Sequence, residues 1–174
     1  MYIQHNRRAL CLSLAGLAAL AMLGPVAAEN LPIPTGQIIL EVSGKIGRTN
    51  RDNQAVFDKA MLEKIGISKL RTTTTWTDGV VTFEGVPFSV LLDTVNAQGT
   101  KVSAIAVNDY AIELDTAELR RYPVLLAMRM NGQEMRIRDK GPIWVVYPRD
   151  DFPELASEDN NFKWIWQLKE LKIH

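Results

Sequence analysis

The chemistry in this chain centres on a ten-residue stretch, Leu70–Gly79, that holds four consecutive threonines followed by Trp76. A β-prone run of this kind presents hydroxyls on both faces of a strand. It is rich in hydrogen-bonding groups yet carries no nucleophile with a base beside it, and no cysteine. An indole among threonines can stack on a flat ring while the hydroxyls bond to the ring's edge. Trp76 is also compatible with plain core packing, so the stretch reads either as a pocket wall or as interior.

Two other groupings have the right residue types for recognition. Asn108-Asp109-Tyr110 interrupts an alternating apolar segment with an amide, a carboxylate and a phenol. A carboxylate suits a ring that presents adjacent N–H and NH2 donors; the same triplet also serves as an ordinary turn. Arg138-Asp139-Lys140 precedes Gly141-Pro142 and an apolar run, as a pocket rim or as a solvated loop. The acids Asp150, Asp151, Glu154, Glu158 and Asp159 lack the central glycine and terminal acid of a calcium-binding loop. They read as solvated surface. The candidate ligand contacts are therefore Thr72, Thr74, Trp76, Asn108, Asp109, Tyr110, Arg138 and Asp139, with Asp109 preferred to Asp139 as the carboxylate acceptor.

Composition narrows the chemistry further. His5, Arg7 and Arg8, then the apolar Leu10–Leu23 run and Val26-Ala27-Ala28, have the form of a secretory signal peptide. The apolar run is short for a bilayer span of about 20 residues. Cleavage after residue 28 leaves one domain, 29–174, exports the chain and leaves no membrane-inserted segment. It removes two of the 20 basic residues and none of the 20 acidic ones, leaving a formal charge of −2. That balance carries no nucleic-acid footprint. The chain's one cysteine, Cys11, leaves with the signal, and His174 is then the remaining histidine. Neither a zinc site nor a histidine acid–base mechanism is readily built from that set.

The elements that would position these residues follow from pattern. Gln37–Val42 alternates as a strand. Val56, Phe57, Ala60, Met61 and Ile65 recur at helical spacing before Gly66, with Asn50 and Asp52 as cap candidates. The threonine run continues as a strand to Asp78-Gly79, and Val80–Phe83 forms a short strand ended at Glu84-Gly85. A second helix follows Val86-Pro87. Lys101–Val107 and Ala111–Leu114 are strands around the Asn-Asp-Tyr break, and Asp115 or Thr116 caps a short helix. Val124–Met130 is a buried strand turning at Asn131-Gly132 into Gln133–Ile137. Ile143–Tyr147 is another strand, residues 149–161 form a loop, and Phe162–Leu168 alternates as a closing strand with a buried indole face. The sum is a mixed α+β domain.

The order of these segments resembles the sulfite-oxidase-type molybdopterin-binding domain. Phe83–Leu92 is similar to that family's Gly-x-Pro segment. Tyr122-Pro-Val-Leu-Leu-Ala-Met-Arg-Met-Asn-Gly132 is similar to its hairpin, Arg138–Pro148 to its Gly-Pro and Val-Val-x-Pro stretch, and Phe162–Ile173 to its last strand. The resemblance implies a mixed-sheet fold and a pterin cofactor. In that family a cysteine near the start of an Arg-Cys…Trp segment bonds molybdenum. Here Arg71-Thr72-Thr73-Thr74-Thr75-Trp76 puts Thr72 in its place, and a protonated hydroxyl is a poor ligand for a soft site. The family's basic, phosphate-holding segment is replaced by residues 149–161, with Arg149 against five acids; such a segment repels an anion.

The sequence thus resembles the small secreted members of the superfamily that bind a pterin in the periplasm. For these the resemblance implies a reduced pterin as ligand, no molybdenum, and docking on the periplasmic domain of an inner-membrane protein that controls cyclic-di-GMP. The alternatives are a molybdopterin-dependent oxidoreductase with a non-cysteine metal anchor, and a ligand-free scaffold domain.

Overall fold

In the computed structural model, which describes Met1 and residues 30–174, the chain folds into two sheets and three short helices. The signal peptide expected over residues 1–28 therefore lies, but for Met1, outside the described residues. An extended lead-in reaches β1 (Ile38–Gly44), and β2 (Ala55–Asp58) returns antiparallel to it. The helix α1 (Lys59–Ile65) follows directly. Next come β3 (Ser68–Thr72), β4 (Val81–Pro87) and α2 (Phe88–Thr94). The middle of the chain supplies β5 (Lys101–Ala106), β6 (Ala111–Asp115), α3 (Thr116–Arg121) and β7 (Leu125–Met130). The last strands are β8 (Gln133–Glu134), β9 (Trp144–Val146) and β10 (Leu168–Ile173).

One sheet has the order β2-β1-β10-β5-β6; the other runs β3-β4-β7-β8, with β9 also pairing β7. Only the β1–β10 contact is parallel among these pairings, so the first sheet is mixed. A single apolar cluster takes side chains from both sheets and from all three helices, including Leu62, Phe88, Leu91, Leu92 and Leu119. No helix among the described residues is long and apolar enough to cross a membrane.

Several local expectations are corrected. Val56 and Phe57 lie on β2, not on a helix, because they pair with β1 through Glu41 and Leu40. The helix starts three residues later, where Asp58 accepts the Met61 N–H at 2.8 Å. Asn50 is not a helix cap; its side chain bonds Pro32 O and both backbone groups of Val56. Asp52 is a turn residue at φ 39°. The strand at Val80–Phe83 does not stop at Gly85. It runs on to Pro87 through a bulge against β7, and a Cβ at Gly85 would lie 2.0 Å from Leu126 O. A close strand approach explains the glycine better than a turn does.

The hairpin at Asn131-Gly132 has both residues at positive φ, 51° and 76°, as a tight two-residue turn requires. Its return strand ends at Glu134, because the chain tucks back at Gly141. A Cβ there would lie 2.0 Å from Met135 O. Asp115 caps α3 through the Ala117 N–H at 2.8 Å.

Candidate functional site

The threonine run divides at Thr72. Leu70, Arg71 and Thr72 pair with β4, and Thr73 onward leaves the sheet as a turn. The reason lies in the hydroxyls, which bond to nearby backbone and side chains in place of a ladder. Thr74 Oγ1 accepts the Trp76 N–H at 3.0 Å and meets Thr77 Oγ1 at 2.8 Å. Asp150 clamps the start of the turn: its carboxylate accepts from Thr73 N at 2.7 Å and Thr73 Oγ1 at 2.5 Å. Arg149 Nη1 donates to Thr75 Oγ1 at 3.1 Å, and Thr75 Oγ1 also lies 3.2 Å from Asn161 Oδ1. The acidic segment read as solvated surface therefore fastens the turn that presents Trp76.

Trp76 projects into a cluster of four indoles. Its ring centroid lies 5.4 Å from Trp166, 5.9 Å from Trp164 and 6.2 Å from Trp144. Lys140 Nζ sits 5.1 Å from the Trp166 ring centre and 5.3 Å from that of Trp144, a cation–π distance. The segment carrying Trp164 and Trp166 is not the strand that its alternation suggested. Residues Glu158–Lys163 form a 3-10 turn, and β10 starts only at Leu168. The alternation arises because an irregular segment inserts Trp164 into the core and leaves Phe162 and part of Trp166 on the surface.

A cleft of about 380 Å³ opens against this cluster. Trp76, Trp164, Trp166 and Phe162 form its aromatic walls, and Asn108, Tyr110 and Asn161 supply its polar groups. The size matches a small planar ligand. No charged side chain lines it.

Of the sequence candidates, the structure brings Trp76, Asn108 and Tyr110 together here. Thr72 and Thr74 are buried behind the wall and act on its shape. Asp109 lies outside the cleft. The turn places it at φ 64°, and its carboxylate lies 2.6 Å from Lys169 Nζ. Arg138 lines a different groove, and Asp139 pairs with Arg136 at 3.3 Å. Sequence reasoning missed Asn161, Phe162, Trp164 and Trp166 as cleft residues. The aromatic alternation at 162–166 was the available sign for three of them; nothing marked Asn161.

The sequence over residues 56–169 matches the family described as the oxidoreductase molybdopterin binding domain, and the chain belongs to that family. Comparison with solved structures finds the sulfane dehydrogenase SoxCD from Paracoccus pantotrophus, at TM-score 0.58 and 19% identity. The match covers 78% of this chain and 37% of that one, so this chain spans little more than a third of that protein. The likeness is one of fold. Comparison with curated proteins gave no match.

The family's cofactor joins a pterin to a phosphate and a metal, and the residues here fit its parts unequally. The aromatic cleft suits the ring. At the metal end, Thr72 is fully buried, and its hydroxyl donates to Thr73 O at 3.2 Å while Asp150 N approaches it at 3.4 Å. A hydroxyl so engaged is not a thiolate ligand. No group of three His, Cys, Asp or Glu among the described residues could hold a metal. At the phosphate end, Arg149 is already bonded to Thr75 and to Ala156 O, and Asp150 stands beside it. The metal and phosphate ends do not fit these residues.

Proposed function

We propose that the protein binds a reduced, unphosphorylated pterin without molybdenum in the periplasm, and relays its ligand state to an inner-membrane signalling protein. The observation that carries this reading is the uncharged aromatic cleft beside a buried Thr72. Trp76 and its neighbours offer faces for the ring, and Asn108, Asn161 and Tyr110 offer donors and acceptors for its edge. An uncharged lining favours a neutral ligand, since nothing there compensates a phosphate.

The reading needs no catalytic group. Tyr110 is the one titratable side chain in the cleft lining, and the reading uses its phenol as a hydrogen-bond partner for the ligand. Export rests on the form of residues 1–28, and the periplasm as its destination rests on the resemblance to the small secreted members of the superfamily. The signalling partner, with its control of cyclic-di-GMP, rests on the resemblance to the small secreted members of the superfamily.

Titration of the purified protein with tetrahydro- and dihydropterins, followed by tryptophan fluorescence and calorimetry, tests the reading. Saturable micromolar binding is expected; none at that concentration sinks it. Family membership supports the alternative, a molybdopterin-dependent oxidoreductase with another anchor. Stoichiometric molybdenum or tungsten in protein from its native host would establish that alternative.

A further inference from the structure

The first sheet forks at its parallel contact. Register between β1 and β10 starts at Glu41 opposite Glu170 and runs to Gly44 opposite Ile173. Ahead of that point, Ile38 and Ile39 have no partner on β10. Both strands are irregular here: β1 shifts register against β2 between Ile38 and Leu40, and β10 against β5 between Leu168 and Glu170. On the β10 side Leu168 N–H is taken by Ile143 O at 3.0 Å, so the open edge of the fork is that of β1 at Ile38 and Ile39, the kind of edge that an added strand completes.

A groove of about 610 Å³ fills the fork, with Met135–Arg138 as its far wall. Arg136, Arg138 and Lys169 line it, and no carboxylate does. Asp139 and Asp109 reach Arg136 and Lys169 from the rim. Arg138 has no ion-pair partner among the described residues. At the narrow end, Glu41 is paired with Arg51, and Glu170 stands opposite it. Arg138 is therefore the one unpaired cation among the groove-lining residues. The mouth is also apolar: Val107 and Ile137 are 44% and 54% exposed.

We propose that this fork is the docking site for an extended, acidic segment of a partner protein. The segment adds as a strand along the open edge, lays apolar side chains on Val107 and Ile137, and sets a carboxylate on Arg138. The inference deepens the signalling reading and rests on it for the existence of a partner.

The groove and the ligand cleft are built on the same two segments. Val107 lines the groove, while Asn108 and Tyr110 line the cleft; Trp166 lines the cleft, while Leu168 and Lys169 line the groove. Gln167 joins them. Its Nε2 donates to Ile137 O at 2.6 Å, its N–H donates to Lys140 O at 3.1 Å, and its carbonyl accepts the Val107 N–H at 2.9 Å.

Fluorophore-labelled ten-residue peptides test the proposal. They alternate valine with aspartate, lysine or serine, and are titrated by anisotropy into the purified protein without added pterin. The aspartate peptide is expected to bind about tenfold more tightly than the lysine peptide, and Arg138→Glu to remove that preference. N-methylation of alternate peptide amides is expected to abolish binding, and bound peptide to slow amide exchange at Ile38 and Ile39. Arg138→Gln, with an unchanged melting temperature, controls for folding. Equal binding of the aspartate and lysine peptides, no binding of any, or indifference to Arg138→Glu overturns the proposal. So does sedimentation showing a second copy of the chain closed over the fork. Pterin titration of the same sample separates the two readings: lost pterin binding with peptide binding kept refutes only the ligand, and the reverse refutes only the docking site.

Discussion

Lys169 holds Asp109 away from the aromatic cleft: its Nζ lies 2.6 Å from Asp109 Oδ1 across the β5–β6 turn. The Asp109 side chain is 84% exposed, whereas Asn108 and Tyr110, its neighbours on either side, line the cleft. Asn108 Oδ1 also accepts the Tyr110 N–H at 3.2 Å, which fixes the turn. Asp109→Asn keeps a residue that tolerates positive φ and is expected to leave pterin affinity within about twofold. Asn108→Ala removes a cleft amide and is expected to weaken binding about fivefold, the effect of one net hydrogen bond. Fluorescence titration of the two variants decides between them; a larger loss for Asp109→Asn would restore the carboxylate as the recognition group.

Trp76 is the aromatic wall that most depends on local structure. Three other indoles surround it, but its backbone sits in a turn held by Thr74 and Asp150. Trp76→Ala is expected to lower pterin affinity at least about tenfold, combining lost stacking with lost apolar contact. Trp76→Phe is expected to recover part of that loss. Calorimetry reads both variants, and equal affinity in Trp76→Ala and the parent would remove Trp76 from the site.

The clamp on that turn makes its own prediction. Asp150→Ala releases Thr73 N and Oγ1 together without touching the cleft lining. The turn then loosens, so binding should weaken about threefold or more while most of the fold remains, since this is a surface hydrogen-bond pair. Faster amide exchange at Thr73 is the matching structural readout.

How much of this was legible in the sequence depends on how far the deciding partner lay along the chain. The β5–β6 break, the Asn131-Gly132 hairpin and the Asp115 cap are local, and their residue types dictate them. The threonine run failed as a strand because Asp150, 77 residues beyond Thr73, takes up its hydroxyl and N–H. Val56 and Phe57 fit a helical period by spacing, but pairing with β1 overrides that period. Tryptophan alternation at 164–166 mimicked a strand, but Trp164 and the intervening Ile165 are both buried, each 3% exposed, in an irregular segment packed by tertiary contacts. Three of the nine cleft residues were visible, since Trp76, Asn108 and Tyr110 announce themselves by type. Asn161 reaches it only through a turn that no residue pattern marks.

Asp58 ties the lead-in to α1. Its Oδ1 accepts the Met61 N–H, and its Oδ2 accepts those of Thr35 at 2.9 Å and Gly36 at 2.8 Å, with the residue only 3% exposed. These backbone donors, Met61 first and Gly36 next, lower its pKa below the ordinary carboxylate value. A lowered folded-state pKa means that the stabilisation is complete above the unfolded value of about 4 and is lost as pH falls below it. Asp58→Asn is expected to melt about 5 °C lower at pH 6 and to lose less on acidification to pH 3 than the parent does. Thermal melts across that range check both the offset and the slope.

Tyr147 presents the opposite case, a buried group whose polar atom gains nothing. Its side chain is 1% exposed, and its hydroxyl has no hydrogen-bond partner, alone in this among the buried side chains of the described residues. Burial first, and then the charge of Glu118, raise its pKa well above the ordinary phenol value. A raised folded-state pKa stabilises the fold below the unfolded value of about 10, and that contribution fades as pH rises above it. Tyr147→Phe removes an unsatisfied oxygen and keeps the ring that packs on Trp164 at 6.1 Å. Deleting an unpaired buried donor is neutral or stabilising, whereas deleting a bonded one costs about 1 kcal/mol. The variant should therefore melt at or above the parent temperature at pH 7, and its alkaline unfolding midpoint should move upward because no phenol remains to ionise there. A drop of several degrees at pH 7 would show instead that the hydroxyl has a partner, with Glu118 as the nearest candidate to test by substitution to glutamine.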